Sequence, residues 1–186
     1  MPKVPAESLK IENVVASTKL SKSLDLVELA KKIPRADYNK KRFPGVVLRM
    51  TEPKIAALIF GSGKVVLTGA KSLDDLSVGV DNLVSTMTGM GFKIDKNPGF
   101  SVQNIVTSAD LGHPINLNKI AMSFSLDKIE YEPEQFPGLV YRLEDPKVVI
   151  LLFGSGKLII TGGRVKEDAK IAVDKIYKKL KTLNMV

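Results

Sequence analysis

The chain has 186 residues, enough for one large domain or two small ones, and 44% of them are hydrophobic, which supplies a sizeable core. It contains no cysteine, so disulfides, a thiol nucleophile and cysteine-based zinc sites are excluded. The formal charge of +8 points towards a polyanionic partner.

The opening MPKVPAESLK has no signal-peptide apolar region, and no apolar run approaches membrane-spanning length, so an intracellular, soluble protein is expected. The first predicted element is a strand around Asn13-Val14-Val15, within ENVVAS at 12–17. A helix follows, with Asp25 as N-cap and apolar positions at Leu26, Leu29, Ala30 and Ile33. Short strands are expected near 46–50, 55–60 and 65–69. A second helix starts near Ser72, where the Ser-x-x-Asp75 spacing suits a capping box, and Leu76, Val80, Leu83, Val84 and Met87 form its apolar stripe.

Between two of these strands lies LIFGSGKVVLTG at 58–69, whose GSGK resembles the end of a phosphate-binding P-loop. The mechanics of that motif are missing. Leu58 stands where its first glycine belongs, Val65 replaces the magnesium-binding hydroxyl, and a β-branched strand follows where a helix N-terminus should face the phosphate. The alternative is a hairpin with a three-residue loop, Gly61-Ser62-Gly63, and Gly63 in the left-handed region.

The same order of elements then repeats. FPGVVLRMTEPKIAALIFGSGKVVLTGAK at 43–71 matches FPGLVYRLEDPKVVILLFGSGKLIITGGR at 136–164 in 15 of 29 positions. ENVVAS matches QNIVTS at 103–108, Asn116 takes the place of Asp25, and the last helix carries Ala169, Ala172, Val173, Ile176, Tyr177 and Leu180. A period of about 90 residues exceeds that of solenoid repeats, so an intramolecular pseudo-dimer of two α+β units is expected, residues 8–96 and 97–186. Charge is shared unevenly: residues 1–96 hold 16 basic and 10 acidic residues, and residues 97–186 hold 12 and 10.

The hairpin register pairs Leu58 with Val66 and Phe60 with Lys64. Leu58, Phe60, Val66 and Thr68 then share one face, and Ala57, Ile59, Val65 and Leu67 the other. Both faces are apolar, and two helices per unit can cover only one of them. Either oligomerisation buries the second face, or it stays open for a ligand. Phe43 and Phe136 each precede a Pro-Gly turn and pair in spacing with Phe60 and Phe153. A basic protein with an apolar sheet face, aromatic wedges and sparse Asn and Thr donors suits the DNA minor groove, which presents only acceptors at A·T pairs. A duplicated sheet that holds a protein or apolar ligand and no DNA is the competing class.

ENVVAS with QNIVTS, KRFPGVVLRMTEPK with QFPGLVYRLEDPK, and the two FGSGK hairpins followed by TG resemble the TATA-box-binding protein family over about residues 8–181. The resemblance implies a saddle-shaped, curved antiparallel sheet of about ten strands with about four helices on its convex side. It implies a general transcription initiation factor that binds and bends the TATA element through the minor groove. Phe43 with Phe60, and Phe136 with Phe153, resemble its intercalating pairs. Asn13, Asn104, Thr68 and Thr161 resemble its central hydrogen-bond donors, and Val15, Val106, Val66, Ile159, Leu58 and Leu151 its apolar floor. Arg42, Arg49, Arg142, Lys71, Arg164, Ser62 and Ser155 resemble its phosphate or sugar contacts.

The two copies differ before the FPG turn, YNKKRFPG at 38–45 against YEPEQFPG at 131–138. The resemblance implies that Glu132, Glu134 and Gln135 dock transcription factor B, which brings RNA polymerase. A homodimer of the free protein is left open. The short ends, closing on KKLKTLNMV, lead us to expect an archaeal member acting in the cytoplasm at the nucleoid; a eukaryotic one would be nuclear. No cofactor, metal site or catalytic constellation is expected. The one histidine, His113, lies in a turn-like Leu-Gly-His-Pro and is read as structural.

Overall fold

The computed structural model describes residues 5–186; the expectation drawn from residues 1–4 lies outside them. The described residues group into two compact units, one of residues 13–103 and one of residues 5–12 with 104–186.

In the first of these units β1 (Lys10–Lys19) leads to α1 (Leu26–Lys32), then β2 (Ala36–Asp37), β3 (Val46–Thr51), β4 (Lys54–Ile59), β5 (Lys64–Ala70) and α2 (Leu73–Gly89). The order across the sheet is β2-β3-β4-β5-β1, and the pairings are antiparallel. The other unit repeats this with β6 (Ser101–Asp110), α3 (Leu117–Ser123), β7 (Ile129–Glu130), β8 (Leu139–Leu143), β9 (Val148–Leu152), β10 (Lys157–Gly163) and α4 (Lys166–Thr182), in the order β6-β10-β9-β8-β7. A 3-10 turn, Pro5–Ser8, packs against α4 in this unit. The ten strands and four α-helices among the described residues agree with the expected α+β class.

The helices begin where the sequence places their caps. Asp25 accepts hydrogen bonds from the Val27 and Glu28 amides, and Pro34 bars continuation beyond the buried C-cap Ile33. Ser72 accepts from the Asp75 amide and Asn116 from the Lys119 amide. In α4 the cap is a valine, and the Asp168 carboxylate takes over by accepting from the Arg164 and Val165 amides.

Each unit has one layer of helix on one face of its sheet. Ile55, Ala57, Ile59, Val65 and Leu67 point towards α2 and are essentially inaccessible, as are Leu76, Leu83 and Met87 on the helix. The partner core joins Leu139, Ile150, Leu152, Leu158 and Ile160 to Ala172, Val173, Ile176 and Leu180. Burying each large aliphatic chain contributes about 1.5–3 kcal/mol, which fixes strand register through its period of two. Tyr177 lies at the edge of this core, half-buried.

Candidate nucleic-acid interface

The face of each sheet turned away from the helices carries the candidate residues. In the unit 13–103, Leu58 lies opposite Val66, and Val15, Leu58, Val66 and Thr68 are half-buried, while Val14, Ala16, Ala57, Ile59, Val65 and Leu67 beside them are fully buried. Val106, Leu151, Ile159 and Thr161 repeat this in the other unit, with Leu151 opposite Ile159. Within each unit this face has no helix over it, so of the two apolar faces expected, one lies in the core and the other carries no helix.

The hairpins aim the phenylalanines. Phe60 N–H donates to Lys64 O at 2.9 Å, Gly63 N–H donates to Phe60 O at 2.9 Å, and Gly63 has φ +79°. A Cβ on Gly63 would overlap the Ser21 carbonyl oxygen, so both the turn and the close approach require glycine. Leu20 N–H and Leu24 N–H also donate to the Gly63 and Gly61 carbonyls, which ties the loop down. The other hairpin has φ +90° at Gly156, seated against the carbonyl of His113. GSGK is a turn in both places, not a phosphate cradle.

The rings meet their partners from the FPG turns. Phe43 and Phe60 have centroids 5.6 Å apart with planes inclined by 59°; Phe136 and Phe153 are 5.9 Å apart at 70°. These tilted and edge-on arrangements suit the ring quadrupoles. Gly45 makes the first pair feasible, because a Cβ there would stand 2.9 Å from Phe43 Cε1 and 3.3 Å from Phe60 Cδ1. Gly138 does the same for the second. Phe136 keeps 38% of its surface exposed although it lies against another ring.

Between the last two strands of each face, β5 and β1 in one unit and β10 and β6 in the other, is a paired amide and hydroxyl. Asn13 Oδ1 accepts from Gly69 N–H at 2.7 Å, which assigns the amide orientation, and Asn13 Nδ2 donates to Thr68 Oγ1 at 3.1 Å. Asn104 repeats both bonds, to Gly162 N–H at 2.7 Å and Thr161 Oγ1 at 3.0 Å, with a longer 3.4 Å contact from Thr161 Oγ1 to its Oδ1. The second Nδ2 proton of Asn13 and the hydroxyl proton of Thr68 remain to be donated outward. An accept-only surface is the complement of such a site.

Around the rim Arg42, Arg49, Ser62 and Lys71 are exposed in one unit, and Arg142, Ser155 and Arg164 in the other. Arg142 lies 3.4 Å from Glu130, an exposed pair of small energetic weight that a phosphate could displace. Glu132, Glu134 and Gln135 are exposed on the turn before Phe136, where the Glu132 carbonyl accepts from the Gln135 and Phe136 amides. Four floor positions escaped the sequence reading. Val47 and Val140 lie opposite Leu58 and Leu151, and Ala56 and Val149 opposite Thr68 and Thr161; all four are half-buried on the uncovered face. Alternation along β3 and β8 would have found the first two.

The fold and site define a duplicated α+β protein with one uncovered, apolar sheet face in each unit, flanked by aromatic pairs and basic residues. The family model for transcription factor TFIID, or TATA-binding protein, matches residues 8–90 and 99–183. The chain belongs to the TATA-box-binding protein family. It is 52% identical over 182 residues to TATA-box-binding protein 2 of Haloferax volcanii, with 98% of each chain covered. It is 52% identical over 178 residues to the TATA-box-binding protein of Archaeoglobus fulgidus, covering 96% of this chain and 97% of that one. The solved structure of Methanococcus jannaschii TBP superposes with a TM-score of 0.86 at 48% identity, covering 94% of this chain and 99% of that chain.

Proposed function

We propose that the uncovered faces of the two units lie along the minor groove of a promoter TATA element and bend it. By family the protein is a general transcription initiation factor that binds TATA-box DNA, and no enzyme. The single observation that carries the groove reading is the Asn13–Thr68 and Asn104–Thr161 pairing on an otherwise apolar face. A·T pairs present only the adenine N3 and thymine O2 acceptors in that groove, so donors amid aliphatic side chains match them. The guanine amino group would meet valine or leucine and lose its hydrogen bond.

Phe43 with Phe60, and Phe136 with Phe153, act as wedges that enter between base steps. This family is itself the standard example of minor-groove recognition with a kinked duplex, and that known mode is applied here to these four rings. Flexible TA steps lower the cost of the kink. Arg42, Arg49, Lys71, Arg142, Arg164, Ser62 and Ser155 hold phosphates or sugars, positioning the protein without reading sequence. Glu132, Glu134 and Gln135 form the acidic turn that receives transcription factor B, which in turn brings RNA polymerase.

Fluorescence anisotropy with a TA-rich duplex and a scrambled duplex of equal composition tests the central claim. The TA-rich duplex should bind more tightly, and end-labelled DNA should shorten by energy transfer. Equal affinity for the two would overturn promoter recognition.

A further inference from the structure

The two aromatic pairs are near copies, yet they stand in opposite charge surroundings. The turn before Phe43 carries Lys40, Lys41 and Arg42, and the hairpin beyond Phe60 carries Lys64, paired in register with Lys19 of β1. All five are exposed. At the equivalent places around Phe136 and Phe153 stand Pro133, Glu134 and Gln135, then Lys157 paired in register with Asp110, with Glu132 in place of Asn39. Asp37 and Glu130 precede the two turns alike and cancel in the comparison. Lys10 and Glu12, which line a groove with Phe153 and Lys157, cancel one another, so five cations at the first pair face a net two negative charges at the second. Lys19 and Lys64 also line, with Ser62, Ser101 and Phe100, a groove of about 670 Å³ beside the hairpin.

We propose that the basic frame of Phe43 and Phe60 is a second DNA-contacting surface, one that grips backbone phosphates of the duplex flanking the element on that side only. This rests on the minor-groove reading above. Phosphates are the chemistry that an exposed lysine cluster next to a DNA wedge meets first. A kink at Phe43 and Phe60 bends the duplex toward its major groove, so the phosphates within reach are those next to the wedge, and Lys40 and Lys41 are exposed on the turn that ends in it. The carboxylates framing Phe136 and Phe153 repel the same phosphates. Flanking DNA therefore stabilises the complex at one end and not at the other, and this difference sets the direction in which a nearly symmetric element is occupied.

The test uses the whole chain and four TA-rich duplexes: both flanks long, either flank cut back to the element, and both cut. Removing one flank should weaken binding several-fold, and removing the other should have little effect. Lys40→Glu/Lys41→Glu should abolish that difference and lower the slope of log affinity against log salt by about one for each phosphate no longer held. Glu132→Lys/Glu134→Lys should create flank dependence at the other end. Equal losses from either flank in the unaltered protein would overturn the proposal, as would a lysine variant weakened equally with and without flanks. An unchanged flank effect in that variant would also overturn it, leaving the lysines to an acidic protein partner. The minor-groove reading fails separately, through loss of preference for the TA-rich duplex even with both flanks cut.

Discussion

Asn13 and Thr68 lie on different strands, 55 residues apart in the chain, and share a 3.1 Å hydrogen bond whose direction is set by a third group, the Gly69 amide. With Asn13 Oδ1 accepting from that amide, Nδ2 donates to Thr68 Oγ1, and the threonine hydroxyl keeps a proton that it can give to a ligand. Thr68→Val keeps the shape and removes that proton. Affinity for a TA-rich duplex should fall about tenfold, the worth of roughly one such hydrogen bond. Asn13→Asp should cost more, since it places a carboxylate against groove acceptors. Anisotropy titrations measure both, and undiminished binding by Thr68→Val would remove the hydroxyl from the site.

Gly45 lies beneath the Phe43–Phe60 pair, and a methyl there would press on both rings and on the Ile59 carbonyl. Gly45→Ala should displace the rings without deleting them. DNA bending, followed by energy transfer between labelled ends, should drop towards the value for Phe60→Ala. A bend angle equal to that of the unaltered protein would show that ring placement is not critical.

Gly63→Ala places a side chain at φ +79° and into the Ser21 carbonyl. Backbone strain of this kind costs about 1–3 kcal/mol before the overlap is counted. The melting temperature should fall by several degrees or more. Gly89→Ala, at the last turn of α2 with open space around the new methyl, is the control and should be neutral or slightly stabilising. Matching shifts in the two variants would contradict the turn assignment.

Thr107 is 1% exposed, and its Oγ1 has no hydrogen-bond partner among the described residues. The equivalent residue in the first repeat is Ala16. Thr107→Val removes a hydroxyl that lost its water on folding and leaves the shape intact, so stability should rise by about 1 kcal/mol. Urea unfolding would register this as a higher midpoint at unchanged slope.

Glu134→Arg reverses charge on an exposed turn without touching the core. Binding to the TA-rich duplex should persist while the ternary complex with transcription factor B is lost. Gel shifts read both, and a ternary complex formed at the usual concentration would sink the docking assignment.

Much of this was legible because the signals were local or repeated. Val65, Leu67 and Leu76 show their buried sides through periods of two and 3.6, and Asp25, Asn116 and Ser72 announce their helices through hydrogen bonds to amides two or three residues ahead. The repeat supplied an internal check that one copy alone lacks. The two-residue strands β2 and β7 could not be located from the residues, since Ala36-Asp37 is too short to have a period. Nor could the Asn13–Thr68 bond be placed from spacing. It depends on the irregular register between β1 and β5 near Val14, which brings the Gly69 amide to the asparagine. The role of Gly45 was hidden for a similar reason: its neighbours are brought together only by the folded hairpin.

The tie between each glycine hairpin and the loop beneath it has a mechanical consequence. Phe60 is carried on a segment clamped by the Leu20 and Leu24 amides, with no space under Gly63 into which it could recoil. On the proposed function, a hairpin held in this way leaves the deformation at Phe60 to the DNA. Binding energy across a set of promoters should therefore follow the ease with which each element's terminal base steps unstack, so that the DNA's own elasticity ranks sites whose contacts with the protein are identical.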